Sequence, residues 1–246
     1  MRNPALSLPI ALVAALGCSK EPSVQVVQET AAQHGEELFH DATLAKSSAN
    51  TYSCATCHAA TANEAKGLAL SGVPLAGALQ RPSYWGGQEV DLLRSINNCL
   101  YFFMLKNDPW TADNEDARAM YAYLESLPST GDAVKAAPFT VVYTLVDSPN
   151  GDAKAGAVVY DRACASCHGP AHSGTGRLVA RALTLPEQAI AEHPPSEYTD
   201  QQRRLVFVEK IRHGGFVGYA GQMPPFSKEV LSDKDIGDLF GFFKLP

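Results

Sequence analysis

Cys54-Ala55-Thr56-Cys57-His58 and Cys164-Ala165-Ser166-Cys167-His168 repeat one pentapeptide pattern 110 positions apart. Two thiols three positions apart share one helical turn and reach the two vinyl groups of a single porphyrin as thioethers. The adjacent imidazole is then aimed at the iron from the proximal side. Zinc ribbons bring two such pairs within about 20 residues of each other, and a thioredoxin-type site uses one pair in a βαβ setting, so neither fits. The spacing predicts two covalently bound haem c groups, attached at Cys54, Cys57, Cys164 and Cys167, with His58 and His168 as proximal ligands.

The distal side is less evenly written. Met223 follows His168 by 55 residues and stands directly before Pro224-Pro225, which braces it as a distal ligand. His/Met ligation raises an iron's potential and favours carrying electrons over binding oxygen. In the first half, aligning Ile96-Asn97-Asn98 with Ile211-Arg212-His213 leaves Met104 as the nearest thioether. It stands ten residues before Asn114, where Met223 stands nine before Ser232. Cys99 is its rival, a cysteine with no other task, and its plainer reading is a small buried hydrophobe. Met120 falls on a helical apolar face and reads as core. His34, His40, His172, His193 and His213 read as surface or capping residues.

Helices must hold these groups. Gly156, Val159, Tyr160 and Ala163 recur at one helical face before the second cysteine pair, and Gly35, Leu38 and Phe39 copy its beginning. Further helical signals follow at Val90 to Ile96 and at Arg203 to Ile211. Each half closes on an amphipathic helix: Ala117, Met120, Tyr121 and Leu124 behind Asp113 to Asp116, and Ile236, Leu239, Phe240 and Phe243 behind Ser232 as N-cap. The expected class is all-α, with two tandem helical domains over 33–130 and 153–246. An extended linker strap over 131–152 joins them, β-branched from Phe139 to Val146 and ending in a turn.

Residues 1–17 have the short positive start and 13-residue apolar core of a secretory signal peptide, too short to span a bilayer. Ala15-Leu16-Gly17-Cys18 resembles a bacterial lipoprotein signal box, which implies lipidation at Cys18 and a polar tether over 18–32. The chain is expected to be exported, to the periplasm or as a membrane-anchored lipoprotein, with the lipid as its membrane contact. Its 246 residues carry a formal charge of −6 and no basic run, which argues against nucleic acid as a partner. Residues 33–130 hold six basic and eleven acidic side chains, and 131–246 hold twelve and thirteen. Arg203, Arg204, Lys210 and Arg212 cluster before Met223, where an acidic redox partner is expected to dock or a helix face to be solvated.

Each half resembles a class I cytochrome c, and the whole resembles a di-haem cytochrome c of the bacterial periplasm. The second half carries the likeness from Gly156 through Cys164-Ala165-Ser166-Cys167-His168-Gly169-Pro170 to Gly221-Gln222-Met223-Pro224-Pro225-Phe226 and Leu231-Ser232-Asp233. The first half departs by an insertion over 40–53 and by lacking a Met-Pro. Pro74 resembles the cytochrome proline whose carbonyl accepts the proximal histidine's second N–H; a turn proline is the other reading. Ile96-Asn97-x-Cys99 followed by Met104 resembles thiosulfate dehydrogenases, in which a cysteine thiolate binds the catalytic haem. That family's arginine soon after the cysteine is replaced here by Leu100-Tyr101-Phe102-Phe103, with Arg81 and Arg94 the nearby cations. The leading expectation is an electron carrier between redox protein partners, and the alternative is a di-haem oxidoreductase of the thiosulfate dehydrogenase kind.

Overall fold

The computed structural model describes residues 29–215 and 222–245. The leader, Cys18 and most of the tether lie outside the described residues, as does Gly221. The fold is all-α: nine helices and no strand among the described residues, with one isolated bridge between Tyr84 and Glu89. The first half contributes α1 (Ala31–His40), α2 (Cys54–Cys57), α3 (Leu92–Phe102) and α4 (Glu115–Ser126). The second contributes α5 (Ala153–Ala163), α6 (Ala165–His168), α7 (Glu187–Glu192), α8 (Asp200–His213) and α9 (Asp233–Phe243).

Local chemistry sets the helix starts. Thr30, Thr199 and Ser232 each cap a helix with a reciprocal capping box, and Asn114 and Asp152 accept backbone N–H bonds at the first turns of α4 and α5. The four long faces then bury nearly the sets the pattern picks out. Gly35, Leu38 and Phe39 are buried on α1, and Gly156, Val159, Tyr160 and Ala163 on α5. Ile236, Leu239, Phe240 and Phe243 are buried on α9. On α4 the aromatic that enters the core is Tyr123, which meets the Phe39 ring with centroids 5.5 Å apart, while Tyr121 stays half-buried.

The first helix of each half crosses its last: α1 packs on α4, and α5 on α9. Glycine permits both crossings. A Cβ on Gly35 would come within 2.1 Å of the Ala119 carbonyl oxygen, and one on Gly156 within 2.0 Å of that of Asp238. Two separate apolar clusters result, one around Phe39, Leu100 and Leu124, the other around Tyr160, Ile236 and Phe240.

The segment over 131–152 contains a 3-10 turn at Gly131–Val134 and no strand. Its backbone groups find partners on both sides instead. Arg81 Nε donates to the Ala133 carbonyl, the Thr140 N–H donates to Glu229, and Gly151 N–H donates to Gly237. The β-branched run has no neighbouring strand among the described residues and so no ladder to join; side chains meet its backbone at Thr140, whose N–H donates to Glu229, and at Val142, whose carbonyl accepts from His213.

Candidate metal centres

The same backbone bond shapes both cysteine pairs. The His58 N–H donates to the Cys54 carbonyl and the His168 N–H to the Cys164 carbonyl, each at 2.9 Å. That single turn puts the two thiols of each pair on one face. A carbonyl fifteen residues on then orients each imidazole: His58 Nδ1 donates to Val73 O and His168 Nδ1 to Leu183 O, both at 2.8 Å. With its proton on Nδ1, each ring keeps the Nε2 lone pair for a metal. Burial pushes both imidazoles below their ordinary pKa. The carbonyl bonds oppose that shift, while Arg81 and Arg177 add to it.

The acceptor beside His58 is therefore Val73 and not Pro74, whose own carbonyl accepts from Arg81 at 2.7 Å. Proline restricts the residue before it to extended backbone, so its influence falls on the Val73 carbonyl. No proline signals the matching acceptor, Leu183, which is followed by Thr184.

His58 opens on a cavity with Cys54, Cys57, Cys99, Met104 and Met120 in its wall. Both rival ligands thus share the cavity with His58, and Met120, though packed in the core at 3% exposure, reaches it too. Burial, followed by the neighbouring Cys54 and Cys57, pushes the Cys99 thiol well above its ordinary value. Arg81 is the cation lining this cavity among the described residues. Its guanidinium is spent on the carbonyls of Pro74, Ala76 and Ala133. Arg94 lies outside, paired with Glu89 at 2.9 Å.

The second cavity is lined by Cys164, Cys167, His168 and Met223. His193 lines it as well. Read as a surface or capping residue, it is a buried cap: it ends α7, and its Nδ1 lies 2.8 Å from the Ala189 carbonyl. Each cavity thus brings together a thiol pair, an imidazole with a free Nε2, and a thioether, within largely apolar walls. That donor set fits a covalently held porphyrin. Where Gly72 backs the His58 ring, a Cβ would come within 2.3 Å of Cε1.

Two side chains that the sequence reading used only for alignment, or as part of a docking patch, fix the segments carrying the methionines. In the first half Asn97 bonds both the N–H and the carbonyl of Trp110, at 2.7 and 2.9 Å. In the second, at the aligned position, Arg212 donates to the carbonyls of Phe226 and Leu231 at 3.1 and 2.6 Å, and to Asp233 at 2.7 Å. Met223 is held further by its carbonyl, which accepts from Gly215 N–H at 2.9 Å.

The arginines expected to form a docking patch are instead structural. Arg203 is buried against Asp200, Arg204 pairs with Asp147 at 2.6 and 2.9 Å, and the Arg212 side chain is 1% exposed. Lys210 donates to the Gly214 carbonyl. α8 reaches the strap through Arg204 and the segment after Met223 through Arg212, while Arg203 and Lys210 bond within α8 and its cap. The two cavities adjoin: Tyr52, Cys57, Ser71 and Pro224 line both.

Residues 151–242 match the family model described as cytochrome C oxidase, cbb3-type, subunit III. The second half is thus a cytochrome c-type domain, which implies covalently bound haem and haem-based electron transfer. Among solved structures, a thiosulfate dehydrogenase from Marichromatium purpuratum in an "as isolated" form is similar, with a TM-score of 0.39 and 19% identity. The likeness covers 92% of this chain and 49% of that one, so the chain spans about half that protein's length. No curated protein sequence matches the chain.

Proposed function

We propose that the chain is a di-haem cytochrome that carries electrons between redox protein partners. One haem would be held by Cys54, Cys57 and His58 in a module over 33–130, the other by Cys164, Cys167 and His168 in a module over 153–246. The observation that carries this reading is that both C-x-x-C-H groups open on cavities sharing a wall of Tyr52, Cys57, Ser71 and Pro224. Haem would supply one-electron redox chemistry at iron, and the shared wall would make two such centres neighbours. The chain's own task is to fix each imidazole through Val73 or Leu183, exclude water with apolar walls, and present Met104 and Met223 as distal ligands. Export, with a lipid on Cys18 as anchor, belongs to the same reading; no helix of the described residues is long and apolar enough to cross a membrane.

A second reading takes the first cavity as a substrate site with Cys99 as ligand, because Cys99 lines it. The cavity favours the carrier. An anionic substrate needs a cation free to turn toward it, and Arg81, the cation in that wall among the described residues, is anchored by three carbonyls.

The pyridine haemochrome assay tests the proposal. Two haems per chain are expected after acid-acetone extraction. The double variants Cys54→Ala/Cys57→Ala and Cys164→Ala/Cys167→Ala should each retain one. A fully matured chain carrying a single haem would sink the reading, and rapid reduction of the protein by thiosulfate would replace the carrier with the enzyme.

A further inference from the structure

Gln222, the residue before Met223, is 5% exposed, yet its side chain leaves its own half of the molecule. Its Nε2 lies 2.5 Å from the carbonyl oxygen of Phe103, the residue before Met104, and 3.4 Å from Asn50 Oδ1. Both neighbours are acceptors. Asn50 Oδ1 already accepts from the Tyr52 N–H at 3.0 Å, and Asn50 Nδ2 donates to the carbonyls of Ala42 and Tyr52. The orientation of the Gln222 amide is therefore chemically determined, nitrogen toward Phe103.

The Phe103 carbonyl needs such a partner. Phe103 caps the end of α3, where the last carbonyls of a helix have no intrahelical donor, and Phe103 itself is buried. The backbone then turns sharply through Met104 into Leu105, whose φ is 59°. Gln222 Oε1 is buried with no hydrogen-bond partner among the described residues. An amide kept in place at that cost is held by its nitrogen side.

We infer that Gln222 is a positioning residue that couples the distal ligands of the two irons, its buried amide tying the segment that presents Met223 to the segment that presents Met104. Loosening either methionine removes one anchor of the bridge and loosens the other. The inference rests on the reading of both methionines as ligands. It goes beyond that reading by making the two sites one mechanical unit, so that displacement of a ligand at one iron is felt at the second.

Imidazole titrations of the full-length haem-loaded protein, followed optically at each haem, test the coupling. In Met104→Ala the second haem should bind imidazole about fivefold or more tightly than in the unaltered protein, and Met223→Ala should shift the first haem in the same direction, since a coupling between two sites acts both ways. In a Gln222→Leu background both factors should fall to about one. Cross-effects that persist there would overturn the role of Gln222. Should that variant fail to mature, the two methionine variants decide alone: no change at the opposite haem overturns the coupling. Haem content separates the two levels. Fewer than two haems in the unaltered protein defeats the di-haem reading and the coupling together, whereas two haems that titrate independently defeat the coupling only.

Discussion

The two halves solve one problem with different amounts of chain. In the second, α5 runs into the cysteine turn without interruption, because Cys164 both ends α5 and starts α6. In the first, α1 ends at His40 and Cys54 comes only after the insertion. That insertion is not idle length. Leu44, Ala45 and Tyr52 enter the first core, and Asn50 and Tyr52 reach the boundary between the cavities. The distal sides differ in the same sense. A buried arginine braces the Met223 segment through two carbonyls and a carboxylate, where a neutral asparagine braces the Met104 segment through one residue. The second half therefore braces its own distal segment more fully, and the first leans on Gln222 across the boundary, while Tyr52, Cys57 and Ser71 of the first half also line the second cavity.

The sharpest way to break this comparison is to remove the distal ligands. Met223→Ala should turn the second haem high-spin, because the thioether in its cavity is the only methionine there among the described residues. Met104→Ala should do the same to the first, or recruit Cys99, which shares its cavity. Cys99→Ala should leave both haems low-spin. Electron spin resonance at low temperature reads all three variants. A low-spin, thiolate-type signal lost in Cys99→Ala would reverse the assignment for the first half alone.

A smaller effect is expected at the braces. Arg212→Ala strips donors from two buried carbonyls and should cost about 2–4 kcal/mol of stability. Asn97→Ala, which frees only the groups of Trp110, should cost about 1–2 kcal/mol. Denaturant unfolding followed separately at each haem band would show whether each loss is confined to its own half. If Asn97→Ala proved the more damaging, the first half would be the better braced of the two.

Much of this was legible in the sequence because helix faces and haem-attachment motifs are local. The spacing of Gly156, Val159, Tyr160 and Ala163 names the buried face of α5 directly. What escaped were contacts set by tertiary placement. Arg203, Arg204 and Arg212 look like a charged patch in one dimension; Arg203 meets Asp200 on its own helix, but Arg204 and Arg212 find Asp147 and Asp233 on other elements. His193 does the capping its place allows, but no local signal says that the cap is buried in a cavity wall. Tyr121 and Tyr123 differ by two positions on one helix, and a stripe two residues wide does not say which ring the neighbouring Phe39 will meet.

The smallest effect concerns how each half grips the strap, and it is a matter of pH. The first half holds the strap through Arg81 and the Ala133 carbonyl, a bond that does not titrate with acid. The second holds it through carboxylates: Glu229 accepts from the Thr140 N–H and hydroxyl, and Asp147 pairs with Arg204. Burial raises the Glu229 pKa, but the Thr140 bonds, its own N–H and the Ser227 hydroxyl outweigh burial and bring it to about 2. The Arg204 bond, acting against desolvation, lowers that of Asp147. For a carboxylate depressed in the folded state, the stabilisation is fully present above its unfolded pKa, about 4.3 for glutamate, and is lost as pH falls toward the folded value. Hydrogen exchange should therefore show the strap around Thr140 opening between about pH 4 and 2 while the segment around Ala133 keeps its protection. Glu229→Gln, which cannot ionise, should flatten most of that acid dependence and leave the contribution from Asp147. Equal loss of protection along the whole strap would mean that both halves grip it by the same chemistry.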